Sequence, residues 1–224
     1  MLQLGAQTVP LLIVRNPRAR RYLLRLRPDG TARVTVPRGG SPVEARAFVE
    51  RNRAWLEQQL QQRRTEPHLP ASWSVGSEVW LRGTQVPIEP IAPEIISFGS
   101  QQMAVKNMAS DLRPAIEKHL RKIAARELPP RVQEFAARHG LKVQRVSVRN
   151  QKSRWGSCSR RGTISLNWRL LQTPDFVRDY IILHELAHLR HMNHSHRFWR
   201  EVEHLCPEFR TAERWLKTHR DFLR

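Results

Sequence analysis

"HELAHLRHMNHSHRFW" spans residues 184–199 and packs five histidines and one glutamate into its first thirteen positions. His184 and His188 lie four residues apart. At about 100° per residue they project from one helix face, roughly a turn apart, which suits two imidazoles converging on one ion. The preceding run "YIILHELA", from Tyr180, is apolar on nearly every side, so this helix is expected to be buried. A buried carboxylate and two buried imidazoles are costly without partners, and a single cation satisfies all three. H-E-x-x-H on such a helix is a specific hydrolase signal, with His184 and His188 as metal ligands and Glu185 as general base.

A catalytic zinc needs a third protein ligand and a position left for water. His191 falls on the same face of a continuing helix. An ion between His184 and His188 would lie about five residues, near 7 Å along the axis, from its Cα, which is beyond comfortable reach. His194 is better placed. If the helix ends around Met192 and Asn193 takes the left-handed conformation, the chain doubles back and His194 closes the triangle. Ser195 then caps a following helix whose bulky side, Phe198, Trp199, Val202 and Leu205, pins His194. His191 and His196 are read as rim residues. Glu201 or Glu203 stays open as an alternative third ligand.

Upstream of the motif, "TPDF" reads as the helix start, with Thr173 as cap, Pro174 at the first helical position and Asp175 complementing the dipole. Two strands precede it, "LKVQRVSVRN" and "GTISLNWRL". Ile164, Leu166 and Trp168 line one face of the second; Thr163, Ser165 and Asn167 line the other. Between them lies "QKSRWGSCSRRG", in which Trp155 reads as core and Gly156 as a site of close approach. The functional reading makes this stretch an edge strand that pairs with an extended substrate. Further back, Leu112, Ala115, Ile116, Leu120 and Ile123 form a helical stripe that Pro129-Pro130 is expected to break. A second helix then ends at Gly140.

The first third reads as strands followed by a helix. In "RYLLRLRPDGTARVTVP", Tyr22, Leu24 and Leu26 alternate with Arg21, Arg25 and Arg27. Pro28-Asp29-Gly30 turns the chain, and Ala32, Val34 and Val36 resume the alternation around Arg33. The product is a hairpin with an apolar face and a basic one. "SPVE" at 41–44 has the capping-box pattern, opening a helix with Ala45, Phe48, Val49, Trp55, Leu56 and Leu60 at helical spacing. The N-terminal "MLQLGAQTVPLLIVRN" reads as strand, without the basic flank of a signal peptide. Residues 65–105, rich in Pro, Gly and Ser, read as small strands and loops. The chain therefore divides into a β-rich region over 1–105 and a catalytic region over 106–224, two regions that are free to pack as one unit. The fold class is α+β.

The 224 residues carry 40% apolar side chains and a net charge of +19. No run approaches the roughly 18 apolar residues of a membrane helix. Two cysteines, Cys158 and Cys206, make no disulfide framework and read as free thiols in a reducing cytosol, so the expected location is cytoplasmic. The charge surplus favours polyanions, and Arg21, Arg25, Arg27 and Arg33 are the candidate nucleic-acid contacts.

Taken together, "RWGSCS", "ISLNWRL", "YIILHELAHLRHMNHSHRFW" and "RLRPDGTARVTVPRG" resemble the YgjP-like metallopeptidases, relatives of the SprT-like and WLM zinc proteases. The resemblance runs from about residue 15 to 215. It implies a zincin-like site in which His184, His188 and His194 bind Zn²⁺ and Glu185 is catalytic, acting on protein or peptide. The likeness to metzincins is partial. Their spacing from second to third histidine is kept, but their glycine position is His191 and no methionine follows residue 192, so a Met-turn cannot form. Arg154, Trp155, Gly156, Tyr180 and His191 are the candidate substrate-binding residues. Two other readings stay open: a metal-dependent hydrolase of a non-peptide substrate, and a DNA-associated protein with a structural, cysteine-completed zinc or a protease that uses its basic surface.

Overall fold

The computed structural model describes residues 1–4, 7–27, 29–65 and 72–219. Pro28 of the expected turn lies outside them. Two compact units emerge, Met1–His68 and Leu69–Arg224. The fold is α+β.

The N-terminal unit begins with β1 (Leu2–Leu4) and β2 (Gln7–Val9), an antiparallel pair. A three-stranded sheet follows from β3 (Leu11–Arg15), β4 (Leu23–Leu26) and β5 (Ala32–Val36), in the order β3-β5-β4. The alternation read from the sequence is realised: Leu24 pairs with Val34 on the buried face, and Arg25 with Arg33 on the exposed one. The capping box forms as expected. Glu44 N–H donates to Ser41 Oγ at 3.1 Å, and Ser41 N–H donates to Glu44 Oε2 at 2.9 Å. It opens α1 (Pro42–Arg51). The single helix expected here is interrupted at Asn52, which caps α1, and continues as α2 (Arg53–Thr65).

In the larger unit, β6 (Glu78–Leu81), β7 (Thr84–Ala92), β8 (Ile95–Phe98) and β9 (Gln101–Ala104) form an antiparallel meander. Its buried residues join one core with the helices that follow. Where the sequence reading drew a line after residue 105, packing draws it after residue 68. The β6–β7 turn has a positional role. Arg82 and Gly83 both have positive φ, and a Cβ on Gly83 would run into Pro174, so the turn seats itself against the start of the helix that bears His184.

The helix α3 runs unbroken over Arg113–Arg138 with Pro129 and Pro130 inside it. The expected break is absent for a physical reason. The carbonyls that the two prolines leave without donors belong to Ala125 and Arg126, both exposed, where water can satisfy them. Meanwhile Ile116, Leu120, Leu128, Val132 and Phe135 place both halves of the helix in the same core. Gly140, at φ +63, ends it in a Schellman motif: Leu141 N–H donates to the Ala136 carbonyl and Gly140 N–H to that of Ala137.

Three short strands then build the floor of the site: β10 (Arg145–Arg149), β11 (Gly156–Cys158) and β12 (Thr163–Asn167). β12 is central, parallel to β10 and antiparallel to β11, so β11 is an outer strand. A 3₁₀ turn over Trp168–Gln172 leads into α4 (Asp175–Ala187), and α5 (His196–Leu205) and α6 (Phe209–His219) complete the unit. The residue capping α4 is Pro174, not Thr173, whose hydroxyl donates to the Leu170 carbonyl to close the 3₁₀ turn. Arg131 on α3 grips Asp179 on α4 through both carboxylate oxygens, at 3.2 and 2.6 Å. No helix among the described residues is long and apolar enough to cross a membrane.

Candidate metal centre

α4 delivers His184 and Glu185 from its last turn, and His188 is its C-cap. The cap keeps helical angles, φ −64 and ψ −18, so its side chain projects as it would from a continuing helix. The helix therefore ends some four residues before Met192, where the sequence placed its end. Leu189 and Arg190 tighten the terminus by donating to the carbonyls of Leu186 and Ala187. Asn193 does not supply the turn. Arg82 and Glu94 are the non-glycine residues with positive φ among those described. Turn residues 188–190 and bends at Met192 and Asn193 together bring His194 back ahead of α5.

The three imidazoles converge. His184, His188 and His194 each offer a ring nitrogen, and these lie within 4.8 Å of one another. Nε2 of His184 stands 3.2 Å from Nε2 of His194. Two nitrogens bound at about 2.0–2.1 Å to one tetrahedral ion would stand about 3.3 Å apart, so the donors fit such an ion. The His191 carbonyl lies 3.0 Å from His188 Nδ1, an arrangement that directs the other nitrogen inward. Phe198, fully buried at the start of α5, touches all three imidazoles, with ring centroids 4.9, 4.4 and 4.7 Å from His184, His188 and His194. It is the anvil on which the triad is set.

Electrostatics agree with a cation site. Burial, helped by the neighbouring imidazoles, holds His184 down at about 4, and burial also lowers His188. Both are neutral donors at physiological pH. Glu185 is pushed up to about 7 by burial, against the pull of Arg154. Its Oε2 is buried without a hydrogen-bond partner among the described residues. An orphaned buried carboxylate oxygen next to three imidazoles makes this cluster the candidate functional site.

Gly156 explains how Glu185 fits. On β11 it pairs with Leu166 and so shares the face of the sheet that meets α4. A Cβ there would collide with the Glu185 carboxylate. The backbone around it is held by Asn167, whose amide donates to the carbonyls of Gln151 and Arg154 at 2.8 and 3.1 Å. Tyr180, one turn before His184, donates its hydroxyl to Glu213 Oε1 at 3.1 Å and lies 3.5 Å from His184 Nδ1. Burial, with Glu213 adding to it, raises its pKa.

A cleft of about 590 Å³ opens over the triad and Glu185, bordered by Arg154, Trp155, Gly156, Tyr180, Met192 and Glu213. Four of the five candidate substrate contacts thus line it. His191 does not, and bears on the site through its carbonyl instead. Glu201, an alternative third ligand, is bonded by Arg190 at 2.6 Å, and Glu203 is exposed; neither joins the cluster. Cys158 and Cys206 stay free and also outside it. Glu213 escaped sequence reading, since it falls in no pattern that ties it to the histidines, and Met192 was read only as the end of the helix.

The family model of the YgjP-like metallopeptidase domain matches residues 20–219. No curated protein matches the sequence. Among solved structures, the chain is similar to that titled the metallopeptidase zymogen of Pyrococcus abyssi abylysin, at 29% identity and a TM-score of 0.37, covering 40% of this chain and 92% of that one.

Proposed function

This chain belongs to the YgjP-like metallopeptidase family, and from that premise we propose that it is a zinc-dependent peptidase in which His184, His188 and His194 hold the ion and Glu185 is the general base. The observation that carries the reading is the meeting, in one cleft, of two Nε2 atoms 3.2 Å apart and a buried, unpartnered carboxylate oxygen. Three imidazole ligands favour zinc over magnesium or calcium, which take oxygen ligands.

Zinc bound there would bring the pKa of its water to about 7 and polarise the scissile carbonyl. Glu185 takes the proton from the attacking water and passes it to the nitrogen of the breaking amide bond, so the products are a carboxylic acid and an amine. Burial gives Glu185 an affinity for protons suited to both halves of that task. The outer strand β11 offers its edge to an extended peptide, and Trp155 at its start borders the cleft. Tyr180 is turned towards His184 and Glu213, which makes it a support for a ligand, whereas Arg154 is left as the cleft's cationic group.

The test is Glu185→Gln in zinc-loaded protein. Hydrolysis of casein should fall by at least three orders of magnitude while bound zinc stays at the wild-type level; retained turnover refutes the base assignment. Activity confined to non-peptide esters or amides would favour the broader hydrolase reading.

A second reading concerns the N-terminal unit. Arg25 and Arg33 face each other across the exposed side of β4 and β5. Like charges directly opposed on a strand pair repel, and a polyanion relieves them. With Arg21 and Arg27 they form a candidate nucleic-acid contact, whose affinity for DNA should fall steeply with salt. A salt-independent affinity would dismiss it.

A further inference from the structure

We infer that a second groove, separated from the triad by Trp199, receives an acidic side chain of the polypeptide substrate. This rests on the peptidase reading above. The groove encloses about 720 Å³, with Trp199 and Phe209 at its base and Arg210, Glu213, Arg214 and Lys217 around it. Arg210, Arg214 and Lys217 recur on α6 at i, i+4 and i+7, which puts all three on one face of the helix. All three are exposed. Among the described residues none of them has a carboxylate partner: Arg210 lies over the Phe209 ring, 5.6 Å from its centroid, and Arg214 bonds the Thr211 hydroxyl at 3.3 Å. The one acid on the rim, Glu213, is engaged by the Tyr180 hydroxyl. The rim therefore carries a net of two positive charges.

Its relation to the metal centre gives the groove a use. Trp199 stacks on His194 with centroids 5.9 Å apart, and on Phe209 at 5.8 Å. Phe209 in turn stacks on Tyr180 at 6.3 Å. One aromatic layer thus separates the two depressions, and Glu213 borders both. An extended peptide advances about 3.3 Å per residue, so a side chain reaching past that layer belongs to a residue about two or three positions from the scissile bond. Glutamate suits the place. Its methylenes can lie on the indole and phenyl faces while its carboxylate meets a guanidinium fork. A lysine there would meet like charge, so the rim would discriminate by repulsion as well as attraction. A phosphate backbone is the other polyanion such a rim attracts. The groove's place beside the peptide cleft favours the substrate's own side chain.

The test uses zinc-loaded full-length Glu185→Gln protein, which holds substrate without turnover, and fluorescein-labelled peptides that differ only in carrying glutamates or lysines at matched positions. Anisotropy should show the glutamate peptide binding about tenfold tighter, the sum of two or three exposed ion pairs. Adding Arg210→Glu and Arg214→Glu should reverse that order. Lys217→Glu alone should narrow it, which keeps the idea testable if the double change fails to fold. An unchanged order in folded, zinc-loaded variants overturns the groove, as does displacement by single-stranded DNA of a probe for which the glutamate peptide does not compete. Casein hydrolysis by wild-type protein is scored separately. Hydrolysis without reversal removes the groove alone, and reversal without hydrolysis removes only the peptidase reading.

Discussion

Glu185 occupies the space in which any residue but glycine at position 156 would carry its side chain: a Cβ there would stand 2.6 Å from Oε1 and 2.7 Å from Cγ. Both partners are held. Gly156 sits in the β11–β12 ladder opposite Leu166, and Glu185 is on the last turn of a buried helix. The clash must therefore move the carboxylate. A displacement near 1 Å at a reacting group costs on the order of 100-fold in rate. Gly156→Ala is accordingly expected to lower kcat/KM by about that factor while leaving zinc content unchanged. Full activity would show that the carboxylate has room to step aside.

Burial of Glu185 also has a signature in metal-free protein. Its pKa rises from 4.5 to about 7 on folding. Between those values this group holds its proton more in the folded chain than in the unfolded one, so its contribution to stability falls as pH rises through that window and is flat on either side of it. The cost above pH 7 is on the order of 3 kcal/mol, at roughly 1.4 kcal/mol for each tenfold change in proton affinity. Glu185→Gln abolishes this dependence while keeping the contribution of His184, which is common to both proteins. Chemical denaturation of chelated samples should show the variant gaining about 3 kcal/mol on wild type between pH 4.5 and pH 7. A pH-independent difference would mean that the carboxylate is solvated.

The histidine cluster was largely legible because its three members are close in sequence. His184 and His188 follow from helical periodicity, and His194 from what a single helix cannot reach. The turn between them was misread in detail, since tight helix endings depend on backbone bonds such as Leu189 to Leu186 that leave no mark in residue type. The two prolines of α3 misled for the opposite reason. A strong local breaker was overruled by tertiary packing on a face that sequence alone does not orient. Glu213 was invisible because it meets Tyr180 across 33 positions with no shared pattern.

The role given to His194 separates it sharply from its neighbours. Its Nε2 stands 3.2 Å from His184 Nε2, whereas His191 acts through its carbonyl and His196 does not join the cluster. His194→Ala is expected to weaken zinc by more than the roughly 10–100-fold cost of losing a residue that only orients a ligand. His191→Ala, which keeps the carbonyl, and His196→Ala should each bind zinc within about threefold of wild type, a shift worth less than 1 kcal/mol. Competition with a chromophoric chelator measures all three. Equal losses would assign the third ligand elsewhere.

The chain from Glu213 through Tyr180 to His184 makes the last prediction an ordered one. The hydroxyl donates to Glu213 at 3.1 Å, so its oxygen is left to accept from His184 Nδ1–H at 3.5 Å. That tautomer leaves the Nε2 lone pair for the ion. Glu213→Gln preserves an acceptor for the hydroxyl and should change zinc affinity least. Tyr180→Phe removes the acceptor for Nδ1–H and should cost about tenfold. Glu213→Leu should cost most, because the freed hydroxyl can turn and donate to Nδ1, which moves the ring proton onto the nitrogen that must bind metal. Chelator competition on the three variants reads the order directly. A Glu213→Leu protein that binds zinc as well as Glu213→Gln would break the chain at its first link.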